Sequence, residues 1–177
     1  MHFKTAAIAT LLSVAAALPA PADQTSCVDN AVTVLDNLSS GAKALQGQVE
    51  DFTPSALFST FPRIINGFND ELGGLASLDL NCGGELSADD QKKVCAATEN
   101  LIVANEDLVK SLGAKQAIIG QTPFGGPLSA VVRSLEATLD PVVFSAINAA
   151  PVCAGDLEKL ETALAKDVEA VVGQLQL

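Results

Sequence analysis

Residues 156–175 read DLEKLETALAKDVEAVVGQL, and their apolar positions Leu157, Leu160, Leu164, Val168, Val171 and Leu175 recur at threes and fours. That spacing lays one greasy stripe along a helix of 3.6 residues per turn, with Asp156 placed to cap its start. A strand would need alternation by two, and almost none occurs anywhere in the chain. The same period upstream gives four more helices. The first runs from about Ser26 to Phe52 on Val28, Val32, Leu35, Leu38, Ala42, Leu45, Val49 and Phe52, and Pro54 ends it. The second covers Ser55 to Ser77 on Leu57, Phe61, Ile64, Ile65, Phe68, Leu72 and Leu75, with a kink or break expected at Pro62. After the turn Asn81-Cys82-Gly83-Gly84, Ser87 and Asp90 form a capping start. The third helix follows on Val94, Leu101, Leu108 and Leu112, with Cys95, Ile102 and Val109 beside them, reaching toward Ile119. A Gly/Pro loop holds Phe124. The fourth helix spans Leu128 to Asn148 on Leu128, Val131, Val132, Leu135, Leu139, Val142, Val143 and Ile147, with a kink expected at Pro141. Short loops between long helices place neighbours antiparallel. The expected fold is all-α: an up-down antiparallel bundle of about five helices in one domain, residues 27–177.

The N-terminus reads as a secretory signal over residues 1–17. His2 and Lys4 form a basic start, Ala6 to Ala17 an apolar run too short to span a bilayer, and Ala15-Ala16-Ala17 a cleavage site. Residues 18–26, with Pro19 and Pro21, read as a disordered leader. No later apolar stretch reaches membrane length. Cleavage would remove the only histidine, and the chain holds no Trp and no Tyr. Without histidine the usual activated nucleophiles are out of reach, and so is an imidazole metal site. No enzyme, cofactor or metal is expected. With 21 acidic against 10 basic residues and a net charge of -11, nucleic acid and anionic membranes are poor partners.

Four cysteines remain in the mature chain: Cys27, Cys82, Cys95 and Cys153. An even count in a secreted protein points to disulfides, and three connectivities are possible. In an up-down bundle all four lie near one end. The turn after the second helix returns to the start of the first, which favours Cys27–Cys82. The loop after the fourth returns to the base of the third, which favours Cys95–Cys153.

Several features bear on function. Phe58, Phe61 and Phe68 cluster on the second helix, with Phe124 in the loop and Phe144 on the fourth. With Ile65, Leu101 and Leu135 they are candidates to line an apolar tunnel for an acyl chain; the same residues also serve as ordinary core packing. Proline kinks at Pro62 and Pro141 would hold such a cavity open or simply split the helices. Thr98 and Asn105 fall on the heptad line of the third helix, where a buried Asn sets register or meets a lipid head. Arg63, Lys110 and Arg133 read as surface charges able to meet a carboxylate. Asp89-Asp90, Glu106-Asp107 and Glu158 with Glu161 oppose the apolar stripes and read as solvated faces. Asn37-Leu38-Ser39 is an N-glycosylation sequon.

Val34-Leu35-Asp36-Asn37-Leu38, Leu112-Gly113-Ala114-Lys115-Gln116-Ala117-Ile118-Ile119-Gly120 and the closing Ala149-Ala150-Pro151 resemble strings of the fungal cell-wall mannoprotein family, which includes hydrophobic surface-binding protein A. The likeness spans Cys27 to Leu177. It implies an extracellular or wall-associated, helical, non-catalytic protein that holds a fatty acid or other lipid. The alternative it implies is a protein that adsorbs to hydrophobic surfaces or binds a host or cell-wall protein. The chain lacks a Ser/Thr-rich tail and a lipid-anchor signal, which favours free secretion.

Overall fold

The computed structural model describes residues 22–175, so the signal segment and residues 18–21 of the leader lie outside the described residues. Among them are six α-helices and no strand: α1 (Ala22–Glu50), α2 (Leu57–Ser77), α3 (Ala88–Ala114), α4 (Gln116–Ile119), α5 (Gly125–Ala149) and α6 (Ala154–Leu175). Short 3-10 turns at Pro54–Ala56 and Pro151–Cys153 lead into α2 and α6. The helix α1 starts at Ala22, so residues 22–26, expected in the leader, are helical. The third helix stops at Ala114, where the Lys115 N–H turns back to Leu112 O, and the residues up to Ile119 form the separate α4. Ser87 caps α3 as expected, its Oγ accepting from Asp90 N at 3.2 Å and donating to the Asp90 carboxylate at 2.7 Å.

Neither proline breaks its helix. Pro62 is the sixth residue of α2 and Pro141 lies deep in α5, yet both helices run on. Each ring removes one N–H, leaving the carbonyls of Phe58 and Ala137 without their helical partner. Packing of the flanking apolar residues outweighs that loss.

The long helices close a ring in the order α1, α2, α5, α6, α3 and back to α1. The most extensive packing joins α1 to α3, which are not consecutive. They run parallel: Lys93 meets Asp29 at 3.1 Å, Ser39 Oγ donates to Asn100 O at 3.1 Å, and Lys115 donates to Glu50 O at 2.6 Å, pairs 61 to 65 residues apart. Because α3 also touches α5 and α6, it is buried around most of its circumference, on Val94, Leu101 and Leu108, on Cys95, Ile102 and Val109, and on Ala97 and Ala104.

The disulfides are Cys27–Cys82 and Cys95–Cys153, with Cα atoms 5.5 and 6.0 Å apart. Both sit at one end of the bundle, as the up-down course of the chain requires. Phe52, Phe58 and Phe124 mark the other end, which carries no covalent link.

Candidate functional site: the inner face of the second helix

Phe61, Ile64, Phe68, Glu71 and Leu75 follow one another at spacings of three and four along α2, and all five are buried. The stripe is an ordinary core face with one exception. Glu71, only 5 % exposed, occupies a position whose neighbours one turn away are Phe68 and Leu75. The sequence pattern contains this signal, since 71 continues the three-four period, although the apolar stripe read from the sequence passes through Leu72 instead.

Three close approaches put Glu71 where it is. A Cβ on Gly74 would collide with Leu38 Cδ2, one on Gly67 would lie 2.8 Å from Leu45 Cδ1, and one on Gly41 would lie 3.1 Å from Glu71 Oε2. The pairs 38 with 74, 41 with 71 and 45 with 67 fix an antiparallel register between α1 and α2. Glycine lets each leucine, and the Glu71 carboxylate, seat against the opposing backbone.

On the inner side Glu71 meets Asn105 of α3. Burial pushes the Glu71 carboxyl up to about 7, and the Asn105 amide draws it partly back. Asn105 and Thr98, both 0 % exposed, confirm that polar groups stand in the interior on the heptad line of α3. Their hydrogen bonding is lopsided. Asn105 Nδ2 donates to Leu101 O at 3.0 Å, and Gln91 Nε2 donates to Leu86 O at 3.1 Å. The oxygens Glu71 Oε1, Asn105 Oδ1, Gln91 Oε1 and Thr98 Oγ1 are buried without a partner. A buried acceptor left unpaired costs about 1–3 kcal/mol.

Of the apolar candidates, Phe61, Phe68, Leu101 and Leu135 lie in the core, and Ile65 packs on its edge. Phe124 stacks on Phe61, ring centroids 4.2 Å apart and planes at 25°, and meets Phe58 edge-on at 5.7 Å and 75°. These three gather at the open end of the bundle. Phe58 is itself 78 % exposed there, and Phe144 is 67 % exposed, off the Leu135–Leu139–Val142–Val143 face of α5. Neither stands in the interior. Of the charged residues, Arg63 and Arg133 are exposed, and Lys110 pairs with Glu106 and, at 3.6 Å, Asp167. Asp89 and Asp90 pair with Lys92 and Lys93 at 3.3 and 3.1 Å. Burial raises the Glu161 carboxyl, and the nearby Asp140 and Glu158 add to the rise. Among the described residues no group of three or more His, Cys, Asp or Glu could hold a metal, and no single helix is long and apolar enough to cross a membrane.

Open grooves flank α2 on both sides. One of about 350 Å³ lies between α2 and α5, over Leu75, Leu78, Leu80, Pro141 and Val142. The other, about 330 Å³, lies between α1 and α2 over Leu38, Gly41, Leu45, Gly67 and Glu71. Both reach the lower end of the size range of small-molecule sites. A larger groove of about 680 Å³ between α5 and α6 is lined by Arg133, Glu136, Lys166 and Glu169 among others, too charged for an acyl chain.

No family model matches the chain, and no curated protein matches it. A solved structure shares the helical architecture. Afmp4p in complex with palmitic acid superposes with a TM-score of 0.65 at 12 % identity, covering 84 % of this chain and 99 % of that one. Ligand binding domain 2 of the Penicillium marneffei MP1 protein, complexed with multiple arachidonic acids, gives a TM-score of 0.45 at 17 % identity, covering 86 % and 96 %. At 12 % identity, what this chain has in common with Afmp4p is the helical fold.

Proposed function

We propose that this chain is a secreted, non-catalytic carrier that holds a long-chain fatty acid or related lipid against α2. The observation that carries the reading is α2 itself: past its buried apolar stripe of Phe61, Ile64 and Phe68, an open groove lies on each side of its second half, one over Leu75, Leu78 and Leu80 and the other over Leu38, Leu45 and Gly67. Support comes from the fold, since Afmp4p has the same architecture and was solved with palmitic acid. Bulky apolar walls without reactive side chains suit an acyl chain. The scarcity of proton-shuttling groups, with His2 the sole histidine, argues against catalysis.

Incubating the processed protein with excess palmitic acid near pH 6 and recording native mass spectra tests this reading. A saturable one-to-one or few-to-one adduct is expected. Bare protein throughout would overturn it.

One observation favours a second reading, adsorption to hydrophobic surfaces or to a wall or host protein. Phe58 presents a 78 % exposed ring braced by Phe124. Under that reading the spectra stay bare, and hydrophobic beads deplete the protein through Phe58. Secretion, free or into a cell wall, belongs to either reading. So does a glycan on Asn37, which is exposed at the rim of the α1–α2 groove. Ser39 of that sequon is buried, its Oγ donating to Asn100 O, so the glycan would be added before α1 packs.

A further inference from the structure

We infer that Glu71 and Asn105 form the head-group subsite of this lipid carrier, and that the subsite takes an uncharged head bearing an O–H donor: an alcohol, or a carboxylic acid in its protonated form. The inference rests on the lipid-binding reading and adds to it the chemistry of the head. Three observations carry it. Glu71, only 5 % exposed, lines the groove between α1 and α2, and Asn105, 0 % exposed, stands behind it and off the groove wall, so a head in that groove meets the Glu71 carboxyl first. Its Oε1 and the Asn105 Oδ1 lack hydrogen-bond partners. The Asn105 amide nitrogen already serves Leu101 O, which only accepts, so the orientation of that amide is fixed and its oxygen is the free end.

The subsite therefore offers acceptors, and what completes it is a donor. A carboxylate or an ester head brings only further acceptors and leaves every orphan unpaired, and a carboxylate adds a charge to a site that already desolvates one. A hydroxyl fills the gap. Desolvation that raises the Glu71 carboxyl agrees with a site hostile to negative charge. From Glu71 the groove runs one way over Gly67, Leu45 and Gln48 and the other way over Leu38 and Val34. Along α1 its lining extends from Val34 to Gln48, which spans about 21 Å at the helical rise, the length of an extended long acyl chain.

The test compares hexadecan-1-ol, palmitate and methyl hexadecanoate at pH 8, by displacement of a fluorescent fatty-acid probe from wild type, Glu71→Leu and Glu71→Gln, each checked for helicity by circular dichroism. The wild type is expected to bind the alcohol about tenfold or more tighter than the ester, as one good hydrogen bond to a charged group implies, and palmitate more weakly than the alcohol. In Glu71→Leu the alcohol and ester should fall within about twofold of each other. Glu71→Gln, which keeps the shape and adds a donor, should recover ester binding. A wild type that takes alcohol and ester equally would overturn the inference while leaving the lipid-binding reading intact. A wild type that displaces the probe with none of the three, and takes up no palmitic acid near pH 6, would remove that reading and the subsite with it. If Glu71→Leu fails to fold, the wild-type ranking and Glu71→Gln decide alone.

Discussion

Glu71 sits one turn from Phe68 and one turn from Leu75, and the desolvation that lifts its carboxyl to about 7 links folding to protons. In the unfolded chain the same group titrates at its ordinary value of 4.5. Between these two values the folded state binds the extra proton, so the group favours folding fully below 4.5 and ceases to do so as the pH rises through 7. The Glu136 and Glu161 carboxyls, also raised first by burial, act in the same direction. Asp90, held low by Ser87 and Lys93, acts in the opposite one. Denaturant melts should therefore show the protein less stable at pH 8 than at pH 4.5, with Glu71 contributing at most about 3 kcal/mol of the difference. Glu71→Leu should remove that contribution and raise stability at pH 8. An unchanged pH slope in the variant would show that Glu71 is solvated. Asn105 was legible as an interior polar group because it falls on the Val94–Leu101–Leu108 side of α3. Glu71 was not, because an acid is expected to face water and only its glycine-backed seat against α1 shows otherwise.

At the scale of the helix, the period of apolar residues carried most of the fold. All five long helices were legible, and the missed details have local causes. The sequence allows a kink or a break at Pro62 and a kink at Pro141; neither ring breaks its helix, because one lost hydrogen bond yields to a helix anchored on both sides of the ring. The start of α1 was hidden by two prolines upstream, although residues from Ala22 on suit a helix. The pairing of α1 with α3 left no local trace, since it depends on which faces meet around the ring. The contact between α1 and α2 was equally silent, because a glycine in a helix reads as a weakness until its neighbour is known. Adjacent Gly73 and Gly74 separate the two effects. Nothing lies within 4 Å of a Cβ on Gly73, whereas Leu38 blocks one on Gly74. Gly73→Ala should stabilise by up to about 1 kcal/mol through helix propensity. Gly74→Ala gains the same propensity and must displace Leu38, itself 9 % exposed, at a cost of about 1–3 kcal/mol, so its net effect is destabilising. Chemical denaturation of the two single variants checks the opposite signs.

Across the whole molecule, covalent and non-covalent constraints are divided by end. Cys27–Cys82 pins the start of α1 to the segment after α2, and Cys95–Cys153 pins α3 to the turn before α6, both at the same end. The pairing was legible before any coordinates, because chain direction alone brings those four cysteines together. Each bond closes a loop of more than fifty residues, with sequence separations of 55 and 58. In the chain-entropy model each contributes about 4 kcal/mol. The far end is held only by packing: Phe61 on Phe124, Phe52 in the core, and Lys115 on the carbonyls of Glu50 and Phe52. If the proposed carrier opens without unfolding, it opens there, where α2 begins. Hydrogen exchange should then show amides of residues 52–62 and 116–125 exchanging faster than those of 90–102, which lie between the disulfides. Replacing Cys27 and Cys82 together by serine should lower the melting temperature by about 10 °C, at roughly 2–4 °C per kcal/mol for a domain of this size. It should also raise exchange at residues 78–86, while leaving the 52–62 and 116–125 rates almost unchanged. If the open end slowed to the rate of the stapled end, or if loss of that disulfide loosened both ends alike, the bundle would be a single cooperative block and lipid would have to enter along a groove instead.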